Sequence, residues 1–370
     1  MWEYIPFENC LEKTKIKFKL PKKDYKESGK YPVVSQEESL ISGYHDNISY
    51  IFKVTKPIVV FGDHTLALKY IDFDFIVGAD GVKILQPVEE INTKYFYYVL
   101  KALVPKTTGY ARHYKLLKKL DIPVPPLAEQ ERIVAKLDAA FAEIDSAINV
   151  SEIQIKNSFT IFENCVRQNF DVNIVNSEIK KLSEISTYFN GLTYSPKDVS
   201  EEGTIVLRSS NIQNGRMHFD DIVRVKKDIK EKLIVLPNDI LICSRNGSKR
   251  LIGKCSLIGI QEEPMTFGTF MMVVRSEFNH YLQWFFQSNF FKEQISQGQN
   301  TTINQITRYM LDEVKLPIPD ISIQNKISKQ LSEIDSNVRQ VNKLQTQKIS
   351  ELLKLKAAIL SQELQPSEAA

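Results

Sequence analysis

Apolar residues at Ile133, Leu137, Phe141, Ile144, Ile148, Ile155, Phe159, Phe162 and Val166 step by threes and fours, with one interruption at Ser151. A second such stripe runs through Ile327, Leu331, Ile334, Val338 and Val341 and continues to Leu352, Leu355 and Ile359. This period predicts two long amphipathic helices with a coiled-coil seam. Each helix of ~40 residues would be ~60 Å long, longer than a small domain is wide, so their natural partner is each other. The alternative is that each stripe is buried within its own domain.

The two stripes belong to an internal repeat. Ile122-Pro123-Val124-Pro125 is followed by Gln130, Ile133 and Leu137, and Leu316-Pro317-Ile318-Pro319 by Gln324, Ile327 and Leu331, at the same spacings. Further on, Glu143-Ile144-Asp145-Ser146 matches Glu333-Ile334-Asp335-Ser336, but the offset falls from 194 to 190, so the first copy carries four extra residues around Asp138 to Phe141. Four residues is close to one helical turn, so the stripe stays roughly in phase.

Related patterns precede each helix. Ile58-Val59-Val60-Phe61-Gly62 and Ile240-Leu241-Ile242-Cys243-Ser244 read as buried strands entering a turn. Each is followed by a glycine-containing apolar region, Phe75 to Leu85 and Phe267 to Arg275, and then by an aromatic segment, Tyr95 to Leu100 and Tyr281 to Phe286. The expected order is strands, a short helix and a Pro-x-Pro exit, where the globular unit stops and the long helix begins. The chain therefore reads as globular unit, helix, globular unit, helix.

Composition agrees with this. At 370 residues, 43% hydrophobic and 25% charged, the chain has material for two cores, which sets disordered and collagen-like classes aside. The N-terminus lacks the basic start and apolar core of a signal peptide, and no apolar stretch reaches the ~20 residues that span a bilayer, so a cytoplasmic protein without a membrane partner is expected. Cys10, Cys165, Cys243 and Cys255 are scattered and read as buried thiols. The five histidines show no paired helical spacing, so no metal site is expected.

The net charge of +3 says little about partners, but its distribution says more. Lys101, Lys106, Arg112, Lys115, Lys118 and Lys119 lie in a stretch without acids, interleaved with Tyr110, His113 and Tyr114. That mixture suits phosphate contact plus base-edge reading. In the second unit Arg245-Asn246-Gly247-Ser248-Lys249-Arg250 follows a strand in another acid-free stretch, and Arg and Asn can pair bidentately with guanine and adenine. Taken singly, each cluster is a solvated surface or a binding loop; both units carrying one favours binding. Gly62-Asp63-His64-Thr65 and Gln297 to Thr302 read as turns first and base contacts second. The Lys13 to Lys30 stretch is offset by Glu12, Asp24 and Glu27.

Catalytic motifs are missing from the sequence. It has no Gly-x-x-x-x-Gly-Lys-Ser/Thr loop, no Gly-x-Gly-x-x-Gly after a strand, no Gly-x-Ser-x-Gly elbow and no Asp/Asn-Pro-Pro-aromatic motif. Its acidic pairs fall in expected surface turns. The chain reads as a binder and not an enzyme.

The arrangement resembles the specificity subunit of type I restriction-modification enzymes. Lys30 to Gln36 with Ile41 to Tyr44, then Gly62-Asp63-His64-Thr65, then Gly109-Tyr110-Ala111-Arg112-His113-Tyr114, look like that family's target recognition domain, and Pro123 to Val134 looks like the start of its spacer helix. The likeness runs from about Lys30 to about Gln362. The second copy departs from it: its spacer begins Ile321-Ser322-Ile323-Gln324-Asn325-Lys326, and its recognition unit lacks the Gly-Tyr-Ala-Arg-His-Tyr pattern. The halves should therefore read different half-sites.

The resemblance implies an α+β fold with a pseudo-two-fold internal repeat: two mixed recognition domains (1–125 and 171–319) separated by spacer helices (126–170 and 320–364) packed as an antiparallel coiled coil, and a tail (365–370). Each domain would read one half of a split, asymmetric double-stranded DNA target through the major groove, with the helices setting the gap. Expected DNA contacts are Gln36, Tyr44, His64, Thr65, Lys69, Tyr110, Arg112 and His113 in the first domain, and Arg208, Asn211, Arg245, Asn246, Lys249, Arg250, Thr302 and Arg308 in the second. The expected seam positions are Ile133, Leu137, Ile144 and Ile148 on the first helix and Ile327, Leu331, Ile334 and Val338 on the second. The chain itself would need no cofactor. S-adenosylmethionine, ATP and Mg would belong to two methyltransferase subunits and to restriction subunits, and apolar residues outside the seam, such as Ile153 and Leu353, are candidate docking points. The competing readings are a non-enzymatic coiled-coil scaffold joining two protein-binding domains, against which the paired basic loops speak, and a nuclease built from scattered acids.

Overall fold

In the computed structural model, which describes residues 2–79, 81–104, 112–173, 177–297 and 305–365, both Pro-x-Pro segments are strands and not bare exits. Asp121–Val124 pairs antiparallel with Glu3–Pro6, placing Pro123 opposite Tyr4, and Lys315–Ile318 pairs with Glu178–Lys181, placing Pro317 opposite Ile179. Both sheets are two-stranded, so each proline, which has no N–H to donate, can face a free edge. The globular body continues up to the helix and closes on its own N-terminal strand.

Two long helices follow, Leu127–Asn173 and Ile321–Glu363. The chain divides into two compact units, Met1–Ser151 with Thr346–Ala370, and Glu152–Gln345, so each unit holds a globular body and part of both helices. Within the first unit the helical parts run antiparallel: Lys136 pairs with Glu363 at 2.7 Å and Lys356 with Asp145 at 2.6 Å. Within the second, the Ser158 hydroxyl donates to Asn342 Oδ1 at 2.7 Å, and Val166 and Phe170 share a core with Ile327 and Leu331. The interruption at Ser151 is buried, its hydroxyl donating to the Ala147 carbonyl at 3.0 Å in place of an apolar contact.

In the first unit the stripe is shared between the helix pair and the globular body. Ile133, Leu137, Phe141 and Ile144 pack with Leu360 and also with Tyr95, Phe96, Val99 and Ile122, and Ile148 lies partly buried at the edge of this cluster. In the second, Ile327 and Leu331 pack with Leu282 and Phe285, Val338 is buried and Ile334 half-buried. Both of the alternatives that the periodicity left open are therefore realised on the same stripe. The extra turn of the first helix is also held by the body: Asp138 accepts from Lys94 at 2.6 Å and from the Tyr98 hydroxyl at 2.5 Å, and Phe141 packs edge-on to Tyr98.

The first body is built around Ile58–Gly62, buried throughout and paired antiparallel with Leu68–Ile71 and Val82–Leu85. Val59 and Phe61 face the aromatic helix Thr93–Leu103, while Ile58 and Val60 face Val34, Phe75 and Val77 of a second sheet, which explains an apolar run without alternation. In that second sheet Tyr31–Val34 and Phe75–Val77 run parallel. The second body repeats the plan: Ile240–Cys243 lies between Cys255–Leu257 and Met271–Arg275, and Thr204–Leu207 runs parallel to Met265–Phe267. The two central strands match in kind but not residue for residue. Ile240 and Ile242 face the aromatic helix Asn279–Gln287, the role that Val59 and Phe61 have in the first body, so the faces are one residue out of step.

Candidate functional site

In each body, loops far apart in sequence converge where the parallel and central strands end. In the first, Tyr31–Val34 runs into Ser35-Gln36 and the central strand into Asp63-His64-Thr65. The His64 N–H donates to Gln36 Oε1 at 3.3 Å, and the Thr65 hydroxyl donates to the Gln36 carbonyl. Buried Asp63 organises the rest: its Oδ1 accepts from the Tyr114 N–H at 2.7 Å, its carbonyl from the His113 N–H at 2.8 Å, and its own N–H donates to the Gly81 carbonyl at 2.7 Å. Gly81 has φ +81°, a conformation that favours glycine, and a Cβ there would lie 2.3 Å from Gln36 Oε1 and displace that side chain.

The expected contacts of the first body separate by burial. Thr65 and Arg112 are exposed, Gln36, Tyr44 and His64 are half-buried, and Tyr110 lies outside the described residues. Lys69 and His113 are each 5% exposed. Lys69 donates its ammonium to the Ser35 carbonyl at 2.8 Å, and burial pushes it down to about 8. Neither side chain is presented to a ligand: Lys69 lies beneath the Ser35 loop, and His113 is buried.

In the second body Thr204–Leu207 runs into Arg208-Ser209-Ser210-Asn211, and the central strand into Ser244 to Arg250. The N–H groups of Ser244 and Arg245 both donate to the Phe270 carbonyl, at 3.0 and 3.1 Å, and the Ile306 N–H to the Ser244 carbonyl at 2.7 Å. Asn246 Nδ2 reaches the Ser209 hydroxyl at 3.5 Å, and the half-buried Lys254 ammonium donates to the Ser209 carbonyl at 3.1 Å. Arg245, Lys249, Arg250 and Arg308 are exposed and make no ion pair among the described residues. The Arg245 guanidinium lies over the half-exposed Phe270 ring, 5.7 Å from its centroid, a cation–π contact that orients it without neutralising it.

Two further expected contacts are engaged within the chain. Asn211 is fully buried; its Nδ2 donates to the carbonyls of His218 at 3.0 Å and Asp221 at 2.9 Å, and its Oδ1 accepts from the Arg208 N–H at 2.8 Å. The Arg208 guanidinium pairs with Asp221 at 2.7 Å. Thr302 lies outside the described residues. Sequence reasoning singled out the turn of Asp63 without giving that residue a role, and missed Ser209, Lys254 and Phe270; the signal for Lys254 was its position opposite the central strand, as Lys69 is.

Cations without an ion pair among the described residues also stand outside these loops, Lys326, Lys329, Lys343 and Lys348 on the second long helix among them. In the Lys13 to Lys30 stretch Lys22 pairs with Glu37 at 2.6 Å and Lys26 with Asp46 at 2.7 Å, both exposed and weak, while Lys13, Lys15, Lys17 and Lys23 make no ion pair among the described residues. No group of three or more His, Cys, Asp or Glu among the described residues could hold a metal ion. Cys10, Cys243 and Cys255 are buried, with thiols raised by burial, Cys255 to about 12, whereas Cys165 is half-buried. No helix of the described residues is long and apolar enough to cross a membrane.

The chain matches the family model of the type I restriction modification DNA specificity domain twice, over residues 2–156 and 174–352. The StySPI specificity subunit of Salmonella potsdam is 29% identical over 182 residues, which cover 47% of this chain but only 39% of that protein. The EcoR124I/EcoR124II specificity subunit of Escherichia coli is 24% identical over 364 residues, covering 90% of this chain and 87% of the relative. Among solved structures, a chain from a study of complex assembly and conformational transition of the type I R-M system superimposes with a TM-score of 0.75 at 15% identity, covering 98% of this chain and 97% of the other. The fold and the internal repeat expected from the sequence are those of this group.

Proposed function

We propose that this chain, which belongs to the type I restriction modification DNA specificity family, is the DNA-reading subunit of a type I restriction-modification complex. One observation carries the reading: in each globular body three separate loops are hydrogen-bonded into one place, and that place bears exposed cations with no ion pair among the described residues, Arg112 in the first and Arg245, Lys249 and Arg250 in the second. Unpaired arginines beside hydrogen-bonding side chains on a rigid scaffold suit phosphate contact combined with base-edge reading. Each body reads one half of a split double-stranded target, and the helices set the length of the gap.

Catalysis lies elsewhere on this reading. Methyl transfer and ATP-dependent cleavage belong to two methyltransferase subunits and to restriction subunits, with their S-adenosylmethionine, ATP and Mg. The exposed helix residues Ile153, 48% accessible, and Leu353, 54%, are the docking points for the methyltransferase subunits. The residues assigned to DNA contact are Gln36, His64, Thr65 and Arg112 in the first body and Arg245, Asn246, Lys249, Arg250 and Arg308 in the second.

The test is methylation of genomic DNA by the cognate methyltransferase subunit with and without this chain, followed by mapping of the modified bases. A split motif that depends on the chain is expected, altered by Arg112→Ala or Arg245→Ala. If both variants leave the modified sites unchanged, and the chain does not alter DNA binding, the reading fails.

A further inference from the structure

Each globular body contains a lysine on the strand segment leaving the central-strand hairpin, and the two make the same unusual contact. Lys69 sits opposite Val60 and donates to the Ser35 carbonyl at 2.8 Å. Lys254, whose carbonyl accepts from the Cys243 N–H, donates to the Ser209 carbonyl at 3.1 Å. In both bodies the accepting carbonyl belongs to the loop that leaves the parallel-paired strand. Gly78 donates to the Val34 carbonyl beside one, and Gly268 to the Leu207 carbonyl beside the other.

These loops carry the candidate base-reading groups. Ser35 precedes Gln36, whose Oε1 and carbonyl hold the His64-Thr65 turn. Ser209 follows Arg208 and bonds Asn246 through its hydroxyl. A lysine is a costly way to satisfy one carbonyl from below, because its ammonium must leave water; for both, burial is the largest influence and lowers the pKa. The contact spans 34 residues in the first body and 45 in the second. Local turn chemistry therefore does not account for it.

We propose that Lys69 and Lys254 are positioning residues for sequence recognition, each fixing the height of one recognition loop so that its neighbours meet the DNA bases in register. The inference rests on the DNA-reading assignment above. Neither side chain touches the bases; each acts through the carbonyl it holds. Loss of the ammonium leaves the fold in place but frees the loop, and discrimination falls in one half-site only.

The experiment maps methylation of genomic DNA by the full chain with its methyltransferase subunit, for wild type, Lys69→Met, Lys254→Met and Lys19→Met. Lys19 is the control, since it donates to the carbonyl of Val82, a strand residue, at 3.3 Å and holds no carbonyl of a recognition loop. We expect Lys69→Met to relax one half-site and Lys254→Met the other, by about tenfold per affected position, as for the loss of a base contact, with Lys19→Met unchanged. Lys69→Gln, a neutral donor, should retain more of the motif than Lys69→Met and serves if the Met variant does not fold. Relaxation of both half-sites together, or an unchanged motif despite a lowered melting temperature, reduces the lysines to structural roles and overturns the proposal. A wild-type chain that imposes no motif defeats the DNA-reading assignment itself, an outcome visible before any variant is made.

Discussion

The side-chain amide of Gln130 donates to the Pro125 carbonyl at 2.8 Å, one turn inside the start of the first long helix. It donates also to the Glu90 carbonyl at 3.0 Å and accepts from the Asn92 N–H at 2.8 Å. The repeat places Gln324 at the matching position, and it donates to the Pro319 carbonyl at 2.7 Å. A buried amide that holds the carbonyl two residues before the helix accounts for why glutamine stands in both copies.

From this follows an asymmetry in stability. Gln130→Ala strands three backbone groups and should cost about 2–3 kcal/mol, whereas Gln324→Ala strands one such partner and should cost about 1 kcal/mol. Urea unfolding of the two variants checks the order; equal costs would show that the extra bonds of Gln130 contribute nothing.

Asn211→Ala should behave as a folding variant first. Its three hydrogen bonds are made inside a loop from which water is excluded, so about 2–3 kcal/mol is expected from thermal denaturation. Exposed Arg245→Ala should stay within about 0.5 kcal/mol of wild type while altering the modified sites. A destabilised Arg245→Ala with wild-type sites would reverse the assignment of the two residues.

Lys69 gives a pH signature. Burial lowers its folded-state value from the usual 10.5 to about 8, so the native state binds fewer protons than the unfolded state between those values. This group's contribution to stability must therefore rise with pH across that window, after costing most below pH 8. The stability of wild type minus that of Lys69→Met, measured by urea unfolding from pH 7 to 10.5, should climb; a flat difference would mean that the amine keeps its solution affinity for protons.

Deleting Asp138 to Phe141 removes the extra helical turn of the first copy. The gap of the recognised sequence should change while both half-sites remain, read by methylation mapping. Stability should fall as well, because Asp138 holds Lys94 and Tyr98, and Phe141 is in the core. Altered half-sites with an unchanged gap would count against the helices as the spacing element.

Much of the architecture was legible in the sequence because it rests on short-range periodicity. The helical stripes, the central strands and the repeated Pro-x-Pro-to-Gln start all follow from patterns within a few residues. Pro123 was read as a boundary and is a strand residue, because its partner Tyr4 lies over a hundred positions away. The recognition loops were legible as segments, since Gln36, Gly62 to Thr65 and His113-Tyr114 were singled out separately, but nothing local indicated that Asp63 would join them.

What the sequence determined by itself was the repeat, the two helices and the acid-free basic stretches of the loops; backbone propensity and the burial of an apolar face are set by neighbours along the chain. Only the tertiary structure decided which polar side chains face outward. Lys69, His113 and Asn211 are of the same residue types as the exposed candidates, yet they lie inside, Lys69 bonded to a carbonyl 34 residues away and Asn211 enclosed in its own folded loop. Burial is a property of the three-dimensional environment, and no residue carries it in its own chemistry.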